Sequence, residues 1–503
     1  MICPIIVGVS QFTQHKRTKE PLDPLSLMVK TGNEAILNTG VREIAALIDA
    51  IYMVNINSWS YNNAPKELAT RLKLSPEDFT YLSDGGNTPQ MLVNRACNAI
   101  QEKKYRVILI TGAEALYSKL NNEIYIKKNW PKYEPPKEME GEIWDGINAF
   151  ENNYGLKYPP YTYAIFETAL RAFKNRSLDS HRKYMGKLFE HFSEIASENP
   201  YSWTKKRFGF KEIINTNNDN RLITHPYTKR MCANLYVDQS ASILITSEDI
   251  AQNINLNRKL WVNIIGGTDL NNIHETTQRP RLYDSPALKK AAKLALNQAR
   301  LSLDQIDGFD IYSCFPSIVQ IIMNELGIPL DDERNLTLTG GLPYFGGPWS
   351  NYSLHSIVNA VNSIRKNPSL RLMVIANGGY NTKQSIGIYG KFGPKISWDD
   401  VKTIELEVQK KIYSTKLRKP IERANGEITI RGYTITFDRS GNPKKGIILG
   451  EFKNGTRTLA FMNFSIKRLL KLENEELVGR KAKVAYDEEI DRNIVISIEE
   501  RSH

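Results

Sequence analysis

Two double-glycine loops carry the residues best suited to holding a carbonyl oxygen. The first reads Gly85-Gly86-Asn87-Thr88-Pro89-Gln90 and runs into Leu92, Val93, Ala96 and Ile100 at helical spacing. The second, Gly340-Gly341 to Gly346-Gly347-Pro348, runs through Asn351 into Leu354, Ile357, Val358 and Val361 at the same spacing. Glycine pairs allow tight turns and close approach of backbone to a ligand, and the amides that open a helix attract an anion or a polarised oxygen. Asn87, Gln90 and Asn377 stand at loop-to-helix or strand-end positions, where a side-chain amide either bonds a carbonyl or caps the element. His355 shares a helical face with Asn351, four residues earlier. Its apolar neighbours Leu354 and Ile357 favour a buried, satisfied histidine over one turned to a ligand.

The elements that must position these groups recur. After the first loop and helix come basic residues and the apolar run Val107-Ile108-Leu109-Ile110, ending in Thr111-Gly112-Ala113-Glu114; after the second come Arg365, Lys366 and Leu372-Met373-Val374-Ile375, ending in Ala376-Asn377-Gly378-Gly379. Two such units in corresponding order indicate a duplicated α/β architecture, and continuous apolar strands predict a largely parallel sheet covered on both faces. From about 116 to 230 the texture changes. Trp130, Tyr133, Trp144, Tyr154, Tyr158, Tyr161 and Tyr163 stand among prolines before long helical patterns, as in a helical excursion inserted in the first unit. Beyond Pro394, Ile428 and Ile430 alternate on one parity and Tyr433, Ile435 and Phe437 on the other, with Gly432 at the phase slip that a β-bulge produces. The order of three strands, a helix near 465–472 and two strands is that of an OB-type barrel.

Composition sets wide bounds. At 503 residues the chain exceeds a single core. No run approaches the roughly 18 apolar residues of a membrane span, and the opening MICPIIVGVSQF reads as a strand rather than a signal peptide, so a cytoplasmic location is expected. Cys3, Cys97, Cys232 and Cys314 lie far apart with no C-x-x-C pair, which argues against a zinc knuckle or disulfide framework; no metal and no separate cofactor are expected. A formal charge of +12 favours an anionic partner: nucleic acid, a membrane face, or a polyphosphate such as a nucleotide or coenzyme A. Residues 401–503 hold 21 Lys and Arg against 15 Asp and Glu, but both signs mingle and alternation turns many of the aromatics inward, which favours a docking or lid domain over a nucleic-acid reader.

The stretches GGNTPQMLVN (85–94), ITGAEA (110–115), HPYTKRMCANLYVDQSASILITS (225–247), YSCFPSIVQ (312–320), TGGLPYFGGPWSNY (339–352) and ANGGYNTK (376–383) resemble, in this order, the thiolase superfamily over residues 1–392. The resemblance is to its sterol-carrier-protein-type branch, and within it to type-1 thiolase-like proteins with an extra C-terminal domain. It implies a duplicated thiolase fold of two βαβαβαββ-type halves in a layered αβαβα arrangement, an inserted helical loop domain and a small C-terminal OB-like β-barrel. The corresponding boundaries are 1–115 with 231–250 for the first half, 116–230 for the insertion, 251–395 for the second half, 396–425 for a linker and 426–503 for the barrel.

Thiolases work with a nucleophilic cysteine at a helix N-terminus, an activating histidine, a second acid/base and an oxyanion hole. On this chain the nucleophile position falls on Gly86 and the histidine of the Gly-His-Pro motif on Gly347, and Asn377 stands before the Gly-Gly pair where many relatives have a reactive cysteine. The branch's His-Asp-Cys-Phe becomes Tyr312-Ser313-Cys314-Phe315, so Cys314 matches the acid/base cysteine. Tyr312 replaces the histidine and transfers protons only if its pKa is lowered; the alternative is that both are packing residues. Cys97, on the helix body, reads as a buried hydrophobe.

The resemblance implies an acetyl-CoA acetyltransferase-like protein of lipid metabolism that acts on or binds acyl-CoA, as a homodimer or monomer, with Lys205, Lys206, Arg207 and Lys229 available to the coenzyme's phosphates and thiolase turnover weak or absent. Two other readings remain: a non-covalent retro-aldol lyase for β-hydroxyacyl-CoA using Tyr312, and a catalytically silent acyl-CoA-binding scaffold.

Overall fold

The apolar runs form two groups of strands that meet at one joint. The computed structural model describes residues 2–121, 130, 139–140, 146–329 and 331–500; Tyr133 and Trp144 lie outside them. The first group is β1 (Pro4–Thr13), β2 (Ile48–Val54), β3 (Asp78–Leu82), β4 (Val107–Ala115) and, after a short hairpin β5 (Leu222–Thr224) to β6 (Tyr227–Thr228), β7 (Asp238–Ser247). The second is β8 (Val262–Asn271), β9 (Gly308–Ile311), β10 (Leu372–Gly378) and β11 (Lys383–Gly390). Their nine strands run β3-β2-β4-β7-β1-β8-β11-β10-β9. Read outward from the β1–β8 joint, the two groups have the same order and the same pairing directions, with no counterpart of β3 in the second group among the described residues.

The expectation of a largely parallel sheet is corrected. Parallel pairing joins β2 to β3 and β4, and β9 to β10, whereas β1, β7, β8 and β11 make only antiparallel ladders. Continuous apolar runs report burial of both faces and carry no information on direction; the link from β10 to β11 is too short for a crossover, so that pair must be antiparallel.

Layering follows from alternation along the strands. Ile6, Ile108, Ile110, Ile243 and Ile245 face the helices Thr88–Gln101 and Tyr352–Lys366, whose Leu92, Val93, Ala96 and Cys97 pack with Leu354, Ile357, Val358 and Val361. Ile5, Val7, Leu109 and Leu244 face the opposite way, onto the helix Pro24–Asn38. Cys97 is fully buried in the inner layer, a core residue. The helix Pro286–Ala299 covers β8 and β11 on the far side.

The insertion folds as helices, chiefly Pro159–Phe173 and Leu178–Glu198. At the C-terminus β12 (Gly426–Phe437), β13 (Pro443–Glu451), β14 (Arg457–Met462), the helix Ile466–Glu473, β15 (Lys481–Asp487) and β16 (Arg492–Ile498) form a barrel that closes in the order β12-β13-β14-β16-β15 with β12 and β15 paired. The register slips between Ile430 and Gly432, where the sequence changes phase. Gly432 is also where the barrel meets the insertion: a Cβ there would lie 2.9 Å from the Ile165 carbonyl oxygen. Beside it Tyr433 N donates to Thr168 Oγ1 at 3.0 Å, His225 N donates to Ile435 O at 2.8 Å, and β5 pairs with β12.

The segment 396–425 is more than a linker. Its helix Trp398–Tyr413 lies on β8, where Glu405 Oε1 accepts from Asp269 N at 2.8 Å and Gln409 Oε1 from Asn271 N at 2.7 Å. Both sheet edges are occupied by the chain itself. Glu140 N donates to Tyr81 O at 2.7 Å beside β3, and Phe309 N of β9 donates to Asn335 O at 2.8 Å.

Two measurements follow. With neither edge free to extend a ladder, the chain is expected to sediment as a single 57.4 kDa species at micromolar concentration, and a stable dimer would contradict this. Burial raises both Asp269 and Glu405 above the ordinary carboxylate range, and the neighbouring Asp269 charge adds to the rise of Glu405. The folded state therefore holds protons that the unfolded chain has lost, and stability falls as pH rises from the ordinary carboxylate range through neutrality. Glu405→Gln, which keeps the acceptor for Asp269 N, is expected to flatten urea-unfolding stability between about pH 5 and 8; an unchanged slope would refute the shared-proton account.

Candidate functional site

The two glycine loops converge. Gly85 N donates to Ser350 Oγ at 3.0 Å and Ser353 Oγ donates to Gly86 O at 2.7 Å, so the start of one helix is hydrogen-bonded to the start of the other. Lys383 Nζ, at the head of β11, donates to Asp84 O at 3.0 Å. Gly378, at the end of β10, packs so tightly on this loop that a Cβ there would sit 3.1 Å from Gly86 N.

Gly86 has no room for a side chain. A Cβ at this position would collide with the Tyr312 hydroxyl and stand 2.5 Å from both Tyr312 Cζ and the Asn377 carbonyl oxygen. Tyr312 follows β9, its N donating to Ile375 O at 2.9 Å, and its ring meets Tyr352 edge-on at 5.5 Å. The hydroxyl makes no side-chain hydrogen bond to a described residue. Burial first, then the neighbouring Cys314, raise the phenol well above its ordinary pKa. The lowering required for proton transfer by Tyr312 is thus reversed: in this dry pocket the group is a neutral donor.

Cys314 lies two residues on, buried, its thiol pushed up to about 12 by burial and held back from a larger rise chiefly by a hydrogen bond from Tyr163. Tyr163 Oη accepts from Asn377 Nδ2 at 2.9 Å and from Asn381 N at 3.1 Å, which leaves its own hydrogen for the sulfur. Its ring stacks on Phe315 at 4.7 Å. Tyr163 was legible in the sequence only as one aromatic among many; nothing local marks a residue that reaches the site across an inserted domain.

The other candidates divide. Gly347 is near: its N donates to Asn234 O at 2.8 Å, and the adjacent Ala233 N donates to Cys314 O at 3.0 Å. A Cβ at Gly347 would stand 3.3 Å from the Asn234 carbonyl oxygen and 3.5 Å from Leu342 Cδ2, a tight fit but a looser one than at Gly86. Asn87 is buried beside Gly86, its Nδ2 donating to Ser385 Oγ at 3.1 Å and its Oδ1 lacking a donor among the described residues. The Asn377 side chain is engaged at both ends, by Tyr163 and by Gln384 Nε2 at 2.9 Å, so its backbone carbonyl rather than its amide faces Gly86.

Gln90 and Asn351 are engaged within the fold rather than turned to a ligand, and His355 lies buried as its apolar neighbours lead one to expect. Gln90 is fully buried on the side of its helix that faces β11, accepting from Tyr389 Oη at 2.6 Å and donating to Asn94 Oδ1 at 3.0 Å, so it has nothing left for a substrate. Asn351 ties the second loop to β4 through Gly112 O at 2.8 Å. His355 is buried with Nδ1 on Gln11 Oε1 at 2.9 Å and its ring on Phe345; burial pushes it down to about 3, so it is a neutral core histidine. Of the proposed phosphate contacts, Lys206 pairs with Glu212 at 2.9 Å and Arg207 with Glu194 at 3.1 Å, Lys205 donates to Asn199 O at 2.5 Å, and Lys229 is exposed.

Among the described residues the centre therefore presents hydrogen-bond donors (a phenol, a thiol and helix-opening amides) and no group that is a base near neutral pH. Gly86→Ala is expected to cost about 1–3 kcal/mol by overpacking against Tyr312 and Asn377. Pairing it with Tyr312→Ala should recover part of that loss in urea unfolding, and strictly additive losses would show that the two residues do not share this space.

The comparisons with known proteins agree with this geometry. Residues 407–489 match the family described as the thiolase-like protein type 1 additional C-terminal domain. Among curated proteins, none matches by sequence. Among solved structures, a monomeric SCP2-thiolase-like protein type 1 from Mycobacterium smegmatis superposes with a TM-score of 0.83 at 29% identity, covering 98% of each chain. The Ltp2–ChsH2(DUF35) aldolase is similar at a TM-score of 0.59 and 17% identity over 77% of this chain and 97% of that one. Human mitochondrial 3-ketoacyl-CoA thiolase in complex with CoA gives 0.56 and 14% over 77% and 98%. The duplicated sheet, the meeting glycine loops, the five-strand barrel and these likenesses together make the chain similar to the type-1 thiolase-like proteins of the thiolase superfamily.

Proposed function

We propose that this protein binds an acyl-coenzyme A in lipid metabolism and holds the thioester carbonyl among the donors at Gly86 and Tyr312, without forming an acyl-cysteine. The observation that carries this reading is the Tyr312 hydroxyl lying in the space that a side chain at Gly86 would need. A nucleophile cannot be restored there by substitution alone. The remaining thiol is no substitute, since at a pKa of about 12 roughly one Cys314 in 100,000 is ionised near pH 7. Donors without a base suit polarisation of a carbonyl, and the buried Asn87 Oδ1 beside Gly86 offers an acceptor for a ligand N–H or O–H. The similarity in fold to a thiolase solved with CoA supports the ligand class. A cytoplasmic, monomeric acyl-CoA-binding protein is the reading that follows.

Retro-aldol cleavage of a β-hydroxyacyl-CoA is the second reading, favoured by the uncommitted Tyr312 hydroxyl and by likeness in fold to an aldolase. There the β-hydroxyl would give its proton to solvent water as the Cα–Cβ bond breaks and the carbonyl product forms, while the phenol protonates the thioester enolate and recovers a proton from that water.

One experiment separates the readings. Acetyl-CoA and β-hydroxyacyl-CoA are titrated by calorimetry while thiolysis and cleavage are followed in parallel. Binding without thiolysis is expected, weakened by roughly 0.5–1.5 kcal/mol in Tyr312→Phe through loss of one hydrogen bond. Thiolase turnover with a trapped acyl-cysteine would overturn the proposal; β-hydroxyacyl-CoA cleavage abolished in Tyr312→Phe would establish the second reading in its place.

A further inference from the structure

Two cavities lie along the seam where the insertion meets the barrel, away from Gly86 and Tyr312. One, of about 810 Å³, is bounded by the helices Pro159–Phe173 and Leu178–Glu198 on one side and by the β12–β13 turn and the helix Ile466–Glu473 on the other. The second, of about 500 Å³, opens beside it under Tyr158 and Tyr161. Arg221 and Phe437 line both, so the two cavities are neighbours along one trough with these side chains between them.

The trough is chemically divided. At its narrow end Tyr158, 47% exposed, meets Tyr161 edge-on at 4.8 Å, with Phe437 opposite: an aromatic shelf left open to solvent. At its wide end stand Arg182, Arg221 and Arg439, brought from three separate segments of the chain. Arg182 donates to Ile214 O at 2.8 Å and Arg221 to Leu222 O at 3.3 Å, and among the described residues none of the three is within ion-pair distance of a carboxylate.

The acids of the cleft do not cancel these charges. Glu167 is committed to His181 at 2.7 Å, Tyr227 at 2.8 Å and Gln320 at 2.6 Å. Burial raises Glu473 while Arg182 holds it down, so this acid offsets Arg182 in part and leaves Arg221 and Arg439 uncompensated, and Asp179 sits in the first turn of its own helix. A positive field is also felt by His225 on the cleft wall, pushed down to about 3 by burial and then by Arg171, Arg182 and His181. Guanidiniums that lack carboxylate partners around an enclosed volume favour an anion, above all a phosphate that accepts bidentate bonds, and an open tyrosine shelf stacks a planar ring.

We propose that this seam is a second ligand site, taking a nucleoside-phosphate group with its base on Tyr158 and Tyr161 and its phosphates between Arg182, Arg221 and Arg439. The group arrives either as a free nucleotide or as the nucleotide end of a coenzyme. The site requires the barrel, since Phe437 and Arg439 belong to it or its first turn, and it stands independently of the thioester reading because a free nucleotide carries no acyl group.

The test is calorimetry on the full chain with ADP, coenzyme A and inorganic pyrophosphate. ADP is expected to bind, and Arg221→Ala to weaken it about tenfold or more, the loss expected for one charged hydrogen-bond donor, with Arg221→Lys recovering part of the affinity. Tyr158→Ala is expected to weaken ADP but not pyrophosphate. Competition by ADP against coenzyme A, with both weakened in Arg221→Ala, would assign the site to the coenzyme's nucleotide end; ADP binding without such competition would assign it to a free nucleotide. Neither ADP nor coenzyme A binding, affinity indifferent to Arg221→Ala in a variant whose melting is unchanged, or pyrophosphate binding as tightly as ADP would each overturn the proposal.

Discussion

The collision that any side chain at Gly86 would make with Tyr312 governs the centre of this molecule. A phenol from the second strand group fills the space that a side chain at Gly86 would need, and the packing of Gly378 and of the Asn377 carbonyl on the same loop leaves no slack to accept both. The bare glycine and the tyrosine are one packing solution. The pocket's chemistry follows from it, because burial holds Tyr312 and Cys314 in their neutral, donating forms.

The rest of the fold keeps these donors in register. Two helices start back to back, joined by Ser350 on Gly85 and Ser353 on Gly86, and behind them two strand groups repeat one order from a common joint. The insertion adds Tyr163, whose hydroxyl links Asn377 to Cys314 and so joins three segments distant in sequence. Gly347 is packed less tightly than Gly86, since a Cβ there would press on the Asn234 carbonyl oxygen at 3.3 Å and touch Leu342 and Leu235 rather than collide outright.

What was legible in the sequence was what local pattern encodes. Helical spacing after each glycine loop placed both inner helices, recurrence gave the duplication, and the phase change at Gly432 marked the bulge in β12. Strand direction was not legible, because an apolar run looks the same whichever way its neighbour runs. The roles of Gln90 and Asn351 were not legible for a related reason: an amide at a helix start has the same sequence signature whether it meets a ligand or, as here, Tyr389 and the Gly112 carbonyl. Tyr163 shows the limit most plainly, since its importance comes from a contact made across more than two hundred residues.

The barrel does not hang from the rest by a tether. A strand of the insertion continues its sheet, Gly432 admits the neighbouring helix to backbone distance, and Thr168 exchanges hydrogen bonds with Tyr433 in both directions. The two parts that set this chain apart from the bare duplicated core thus complete each other's ladders. Cutting away either would leave backbone donors and acceptors of the other unpaired in a buried seam, so the tail and the excursion it leans upon form one cooperative unit.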